Sequence, residues 1–206
     1  MTYNSLKILS LNVRGIVTTC KRRTLFSWLK RQNIDIILIQ ETHCTKHKLD
    51  VFKNNWDGES FYATTNSAHS RGVGILINSK MKLYVHNVIT TDDGRCIMMN
   101  SDIEGKPLTI INVYAPNIEC ERRGFFERLE VWIRDNAIVP ESLILGGDFN
   151  CCINANDRST KTHIGDKSRD ALIKVMKALG VKDLWYDLNS TEVNQYTWND
   201  NTVYSR

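Results

Sequence analysis

Leu143-Ile144-Leu145-Gly146-Gly147-Asp148-Phe149-Asn150 is the stretch on which the reading of this chain turns. Three aliphatic residues form a strand-like segment that ends in two glycines, an aspartate and, two positions on, an asparagine. Glycine allows a sharp turn and a close backbone approach to a neighbour or ligand, and open α/β sheets place their chemistry at the carboxyl ends of strands. A carboxylate and an amide two residues apart then project the same way, able to orient a water against a phosphate. The plain alternative is an Asx turn closing a buried strand.

The surrounding pattern is that of a mixed α/β domain. Ile34-Asp35-Ile36-Ile37-Leu38-Ile39-Gln40 is a continuous apolar run of strand length, suited to a strand covered on both faces. Lys7–Asn12 reads as a first strand, followed by a loop through Arg14 and Gly15. Further strand-like pieces fall at 60–65, 72–78, 82–89, 95–101 and 107–114, punctuated by Gly, Asp and Asn. Apolar spacings of three and four predict a helix over 21–32 (Leu25, Trp28, Leu29) and another over 120–136 (Phe125, Phe126, Leu129, Trp132, Ile133). A third covers 168–179 (Leu172, Val175, Met176, Leu179), with Gly180 placed to end it. These stripes read as core. With no low-complexity linker, internal repeat or long charge run, the pattern predicts a single domain over residues 1–206.

Composition permits a sizeable core and a polyanionic partner: 42% of the 206 residues are apolar and the net charge is +4. The six cysteines have no C-x-x-C spacing of a zinc site. The N-terminus has no signal-peptide pattern, and no apolar run approaches the roughly 20 residues that span a bilayer. The expectation is an intracellular protein, not in a membrane, with reduced and mostly buried thiols. His43-x-x-x-His47 has helical metal spacing but falls in a predicted loop without the glutamate of a zinc protease motif. His69, His86 and His163 are scattered and read as surface or packing residues. Lys21-Arg22-Arg23 and Arg122-Arg123 read as solvated helix faces, with phosphate tracking as the sharper alternative.

Four polar clusters sit at the ends of apolar strands: Leu11-Asn12, Gln40-Glu41-Thr42-His43, Asn112-Val113-Tyr114-Ala115-Pro116-Asn117 and Gly146-Gly147-Asp148-Phe149-Asn150. Phosphodiester hydrolysis needs this inventory. Mg2+ prefers oxygen ligands and usually takes one or two protein carboxylates, and Glu41 is able to supply one. Asp148 is able to align and deprotonate an attacking water, while Asn12, Asn150 and Tyr114 offer neutral donors to phosphate oxygens. Singly, each has a bland reading as a turn residue, a solvated strand end or a core aromatic.

In that order the motifs resemble the endonuclease/exonuclease/phosphatase superfamily. The matching segments are Ser10–Gly15, Ile39–His43, Gly72–Ile77, Asn112–Pro116 and Gly146–Asn150. Within it the chain is most similar to the apurinic-endonuclease-like domain of non-LTR (LINE-type) retrotransposons, to which Gln40-Glu41-Thr42-His43 and Asp157-Arg158-Ser159 point. The resemblance implies a DNase I-like α/β fold, a four-layered sandwich of two packed mixed β-sheets flanked by helices. It implies Glu41 as metal ligand with Asn12 beside it, for Mg2+ or alternatively Mn2+. Asp148 is implied as the residue that orients or activates water, Asn150 as its partner, and Tyr114 as the contact to the scissile phosphate. Tyr196-Thr197-Trp198 resembles the segment before a hairpin that probes the DNA minor groove, which makes Thr197 a DNA contact.

Two departures matter. Repair endonucleases carry an aspartate near the metal where this chain has Arg14, which argues against repair and offers Arg14 to a DNA phosphate. The family pattern also continues past a Ser-Arg pair with Ile-Asp, a further strand and a Ser-Asp-His motif, whereas this sequence stops at Ser205-Arg206. The expectation is therefore a C-terminally truncated fragment, lacking the last strands and impaired in catalysis. The implied activity of the family unit is Mg2+-dependent nicking of DNA, leaving a 3′-hydroxyl for target-primed reverse transcription. It would act in the nucleus with a downstream reverse transcriptase domain. The alternatives are another phosphodiesterase or phosphatase of the superfamily, or a non-catalytic remnant.

Overall fold

Strand β2 (Ile36–Gln40) is buried along its whole length and organises the first of two sheets. It pairs in parallel with β1 (Ile8–Asn12) and antiparallel with β4 (Val73–Ile77), which in turn pairs with β3 (Ser60–Ala63). Successive side chains of a strand face opposite ways, and both faces of β2 are apolar because both are covered. Ile37 and Ile39 pack with Phe26 and Leu29 of α1 (Thr19–Arg31) and Phe52 of α2 (Leu49–Lys53). Ile36 and Leu38 face the second sheet, against Ile97, Met99 and Ile110. Burying each such side chain contributes about 1.5–3 kcal/mol.

The computed structural model describes residues 6–137, 142–154, 157, 167–189, 196–199 and 204–205. The second sheet runs β5 (Tyr84–Thr90), β6 (Cys96–Ile103), β7 (Lys106–Tyr114), β8 (Leu143–Asp148), with β7 and β8 parallel and the other pairs antiparallel. Both sheets belong to a compact unit made of residues up to Tyr114 together with Ala137–Asp148. The remaining residues form a second unit. In it α3 (Glu119–Asn136) packs on α4 (Lys167–Leu179), tied by Arg122 Nε donating to Ser168 Oγ at 3.0 Å. Gly180 ends α4 in the left-handed conformation (φ +67°), as its position predicts. A short α5 (Leu184–Leu188) follows, then β9 (Trp198–Asn199) paired antiparallel with β10 (Tyr204–Ser205).

The two mixed sheets and their helices make this an α/β protein, and the expected strands and three longer helices are present. Several expectations need correction. Trp28 is 41% exposed, and Phe26 takes the core position instead. Trp132, Met176 and Leu179 are only half-buried. Two cysteines, Cys44 and Cys96, are buried; Cys20 and Cys120 are exposed, and Cys151 and Cys152 lie between. Arg22 and Arg122 are not solvated: both are buried. Arg22 Nη1 donates to the carbonyls of Ile16 and Val17, each at 3.0 Å, and its Nε to Asn55. Arg122 Nη1 donates to the carbonyls of Pro116 and Asn117.

Those two arginines expose an internal repeat. The segments β1–α1–β2 and β7–α3–β8 are both parallel strand–helix–strand passages. Leu11-Asn12-Val13 answers Ile111-Asn112-Val113, and Cys20-Lys21-Arg22-Arg23 answers Cys120-Glu121-Arg122-Arg123. In each copy an arginine from the helix's first turn satisfies carbonyls five and six residues upstream, holding the loop after the strand. The match covers few residues, too few for a period to stand out in the sequence.

Candidate active site

The backbone beyond β1 and β2 stays paired, which brings Asn12 and Glu41 side by side. Val13 N donates to Gln40 O at 2.9 Å, Gly15 N to Glu41 O at 2.7 Å and Ile16 N to Thr42 O at 3.2 Å. From the other side Thr42 N and His43 N donate to Gly72 O and Arg71 O, both at 2.9 Å. Glu41 (φ 52°) and His43 (φ 57°) lie in the left-handed region. For non-glycine residues that costs about 1–3 kcal/mol each and persists only where surroundings enforce it; here hydrogen bonds clamp the turn on both sides. The His43 ring occupies the space beside Gly15, where a Cβ would lie 2.6 Å from Nδ1. Burial pulls the His43 pKa down, with Glu41 opposing.

The glycines of β8 are there because neighbours leave no room. A Cβ on Gly146 would sit 2.5 Å from Leu38 Cδ1 of the facing sheet. One on Gly147 (φ +141°) would sit 2.0 Å from the Val113 carbonyl oxygen. This close approach carries Asp148 to the end of β8, beside Tyr114 in register.

Four side chains meet at that end of the unit. Asn12 Nδ2 donates to Glu41 Oε1 at 2.8 Å and to Asp148 Oδ2 at 2.9 Å. Tyr114 OH donates to the same Glu41 Oε1 at 2.8 Å. Asn12 Oδ1 is taken by the Arg14 backbone N–H at 3.0 Å, and this orients the amide with its nitrogen toward the carboxylates. Two carboxylates thus converge on one neutral donor. Below Tyr114, Arg95 Nη1 donates to its carbonyl oxygen at 3.0 Å, and the guanidinium carbon lies 5.3 Å from the ring centroid.

The other expected site residues fall elsewhere. Arg14 is exposed, with its carbonyl accepting Lys21 Nζ at 2.7 Å. Asn150 belongs to the second unit, where its Nδ2 donates to Ala115 O and Asn117 Oδ1, both at 2.9 Å. Thr197, also in that unit, is exposed in the bend before β9. Asp157 is buried and accepts Asn154 N at 2.7 Å; Arg158, Ser159 and His163 lie outside the described residues. His43 and His47 take part in no cluster of three or more His, Cys, Asp or Glu among the described residues. The residues that sequence reasoning missed are Arg95, and Gln40 and Asn112 in supporting roles. Arg95 follows a Asp-Gly turn signal and gave no other mark; Gln40 and Asn112 stood inside quoted motifs, each an amide in an apolar strand.

The donor chemistry fits a hard divalent cation. Glu41 Oε1 is occupied by two donors, while its Oε2 takes none among the described residues. Asp148 adds a second carboxylate close by, the usual number for Mg2+, which keeps waters and substrate phosphates in its remaining positions. Asn12 presents nitrogen to the carboxylates and so supports them as a donor; its oxygen is held by the loop.

With this geometry in view, the comparisons are specific. Residues 9–206 match the Endonuclease/Exonuclease/phosphatase family. The chain belongs to that family. It is 28% identical to the Transposon TX1 uncharacterized 149 kDa protein of Xenopus laevis over 92% of its own length, but it spans only 14% of that relative. In fold it is similar to an AP endonuclease from Archaeoglobus fulgidus (TM-score 0.72, 20% identity, 96% of this chain and 79% of that one). It is similar also to the endonuclease domain of TRAS1, a telomere-specific non-LTR retrotransposon (TM-score 0.60, 16% identity, 85% and 72%).

Proposed function

We propose that the chain is a metal-dependent DNA endonuclease of a non-LTR retrotransposon, hydrolysing one phosphodiester bond to leave a 3′-hydroxyl that primes reverse transcription. The observation that carries it is the junction of Asn12 with Glu41 and Asp148, with Tyr114 on the same Glu41 oxygen. Similarity to a transposon protein and to the TRAS1 endonuclease domain supports the choice of DNA. DNA is then the partner, a reverse transcriptase domain the companion in the longer protein, and the nucleus the place of action.

Asp148 takes a proton from the attacking water as its oxygen bonds to phosphorus. The bond from phosphorus to the 3′ oxygen breaks, and that oxygen takes a proton from solvent water to become the 3′-hydroxyl, while Asp148 returns its proton to solvent. With phosphate bound, the single hydroxyl proton of Tyr114 turns from Glu41 to a non-bridging phosphate oxygen as charge grows there, and Asn12 keeps the two carboxylates in place. Bound at Glu41, Mg2+ or Mn2+ would supply positive charge to the phosphate and the leaving oxygen. Arg14, Asn150 and Thr197 are assigned to DNA and phosphate contacts.

Nicking of supercoiled plasmid tests this. Conversion to the open circle by the wild-type chain, dependent on Mg2+ and lost in Asp148→Ala and Glu41→Ala, is the expected result. Equal nicking by all three proteins sinks the assignment.

A further inference from the structure

The interface between the two sheets is mostly Ile, Leu, Val and Met, with Phe61, Ala63 and Tyr114 among them, and it also holds two buried amides. Gln40 and Asn112 are 1% and 0% exposed. Asn112, on β7, reaches across to the first sheet, where its Nδ2 donates to Ile39 O at 2.9 Å and Gly74 O at 2.8 Å. Ile39 and Gly74 are register partners on β2 and β4, so a single amide grips two strands at once. Its Oδ1 accepts Gln40 Nε2 at 2.7 Å, and that nitrogen also lies 3.1 Å from Ser10 Oγ on β1 and 3.2 Å from Leu38 O.

We propose that Gln40 and Asn112 form an amide latch between the sheets that positions Tyr114 against Glu41. Its activity readout rests on the hydrolase reading above; its stability readout does not. Buried amides are costly unless every group is bonded, and an aliphatic pair would fill the volume with no such demand. Aliphatic packing tolerates sliding, whereas hydrogen bonds fix one register. The latch lies where register matters. Gln40 immediately precedes Glu41, and Asn112 lies two residues before Tyr114, hence on the same face of β7. Tyr114 must reach across the gap between sheets to Glu41 Oε1, and a one-residue slip of β7 would turn it away. Both are positioning residues: they act through Glu41 and Tyr114.

The test uses Asn112→Leu and Gln40→Met, with Met99→Ala as a control that loosens the same interface away from the latch. The first readout is unfolding in denaturant, with and without Tyr114→Phe. In wild-type and Met99→Ala backgrounds Tyr114→Phe is expected to change the unfolding equilibrium constant by the same factor. In either latch variant that factor should shrink about threefold or more, because the tyrosine no longer holds its bond. The second readout is steady-state cleavage of a short duplex. The latch variants should lose about tenfold or more in kcat with KM within about twofold, and Met99→Ala should keep both.

Additive effects in the unfolding cycle overturn the latch, whatever the cleavage data show. If wild type cleaves nothing, the hydrolase reading fails and the cycle alone decides the latch. Should Asn112→Leu not fold, Gln40→Met removes the donor while keeping side-chain length, and the same criteria apply.

Discussion

Arg95 and Tyr114 hold each other twice: the Tyr114 backbone N–H donates to Arg95 O at 2.8 Å, and Arg95 Nη1 donates back to Tyr114 O at 3.0 Å. The guanidinium also lies against the ring, with only 9% of Arg95 exposed. Arg95→Leu leaves a buried carbonyl without that donor and removes the cation from the ring, a loss of about 2–4 kcal/mol. Arg95→Lys should recover less than half, since an ammonium reproduces neither the planar stacking nor the forked geometry. Urea unfolding of the three proteins measures it.

Glycine 147 and glycine 105 both have positive φ, yet alanine should cost very different amounts at the two. At Gly105 (φ +75°) a Cβ meets nothing within 4 Å, so the penalty is conformational, about 1–2 kcal/mol. At Gly147 the methyl would collide with the Val113 backbone, and strands β7 and β8 would have to part. Gly147→Ala should leave too little native protein for a cooperative transition by circular dichroism; Gly105→Ala should give a clean one at lower denaturant.

Arg22→Met is expected to destabilise by about 3 kcal/mol or more, because it strands the carbonyls of Ile16 and Val17 and the Asn55 oxygen that the guanidinium serves. Its exposed neighbour provides the contrast: Arg23→Ala should fall within about 0.5 kcal/mol of wild type. Chemical denaturation midpoints of the two variants give the comparison.

Thiol chemistry should follow burial. Cys20 and Cys120 are expected to react first with a disulfide reagent, and Cys44 and Cys96 only on unfolding. Burial pushes the Cys44 thiol up from its ordinary 9.0 to about 12, with Arg22 pulling weakly the other way, and raises Cys96 and Tyr62 as well. A raised folded pKa contributes stability that is complete below the unfolded value and lost above it. The contribution of these groups to the unfolding free energy should hence be level through pH 8 and fall from about pH 9 upward. Cys44→Ala should shallow that fall; an unchanged slope would contradict the assignment.

Much of the fold was legible because its signals are local. A run such as Ile36–Ile39 is apolar at every position only if both faces are covered, and Gly180 marks the end of a periodic stripe. The candidate site is legible as types of residue at strand ends: Asn12, Glu41, Tyr114 and Asp148 each stand at such a position, and the fold brings these four side chains together. What stayed hidden depends on partners far along the chain. A basic run such as Lys21-Arg22-Arg23 looks solvated, because nothing local says that Ile16 and Val17 leave carbonyls unserved beneath Arg22. Spacings of three and four point Leu25, Trp28 and Leu29 inward and pass over Phe26, which only packing on Ile37 and Ile39 puts in the core. The inward amide of Asn112 and the outward amide of Asn12 occupy matching points of the two strand–helix–strand passages, so their opposite uses are a property of the assembled sheets.

The bond from Asn12 to Asp148 spans 136 residues of sequence. During synthesis Asn12 and Glu41 emerge early, but their second carboxylate is made only after the rest of both sheets. At about 5–20 residues per second on a ribosome, the amide waits several seconds or more for its partner. A nascent chain released anywhere before residue 148 has the amide and one carboxylate but not the other, so the cluster of four closes only once β8 has been made.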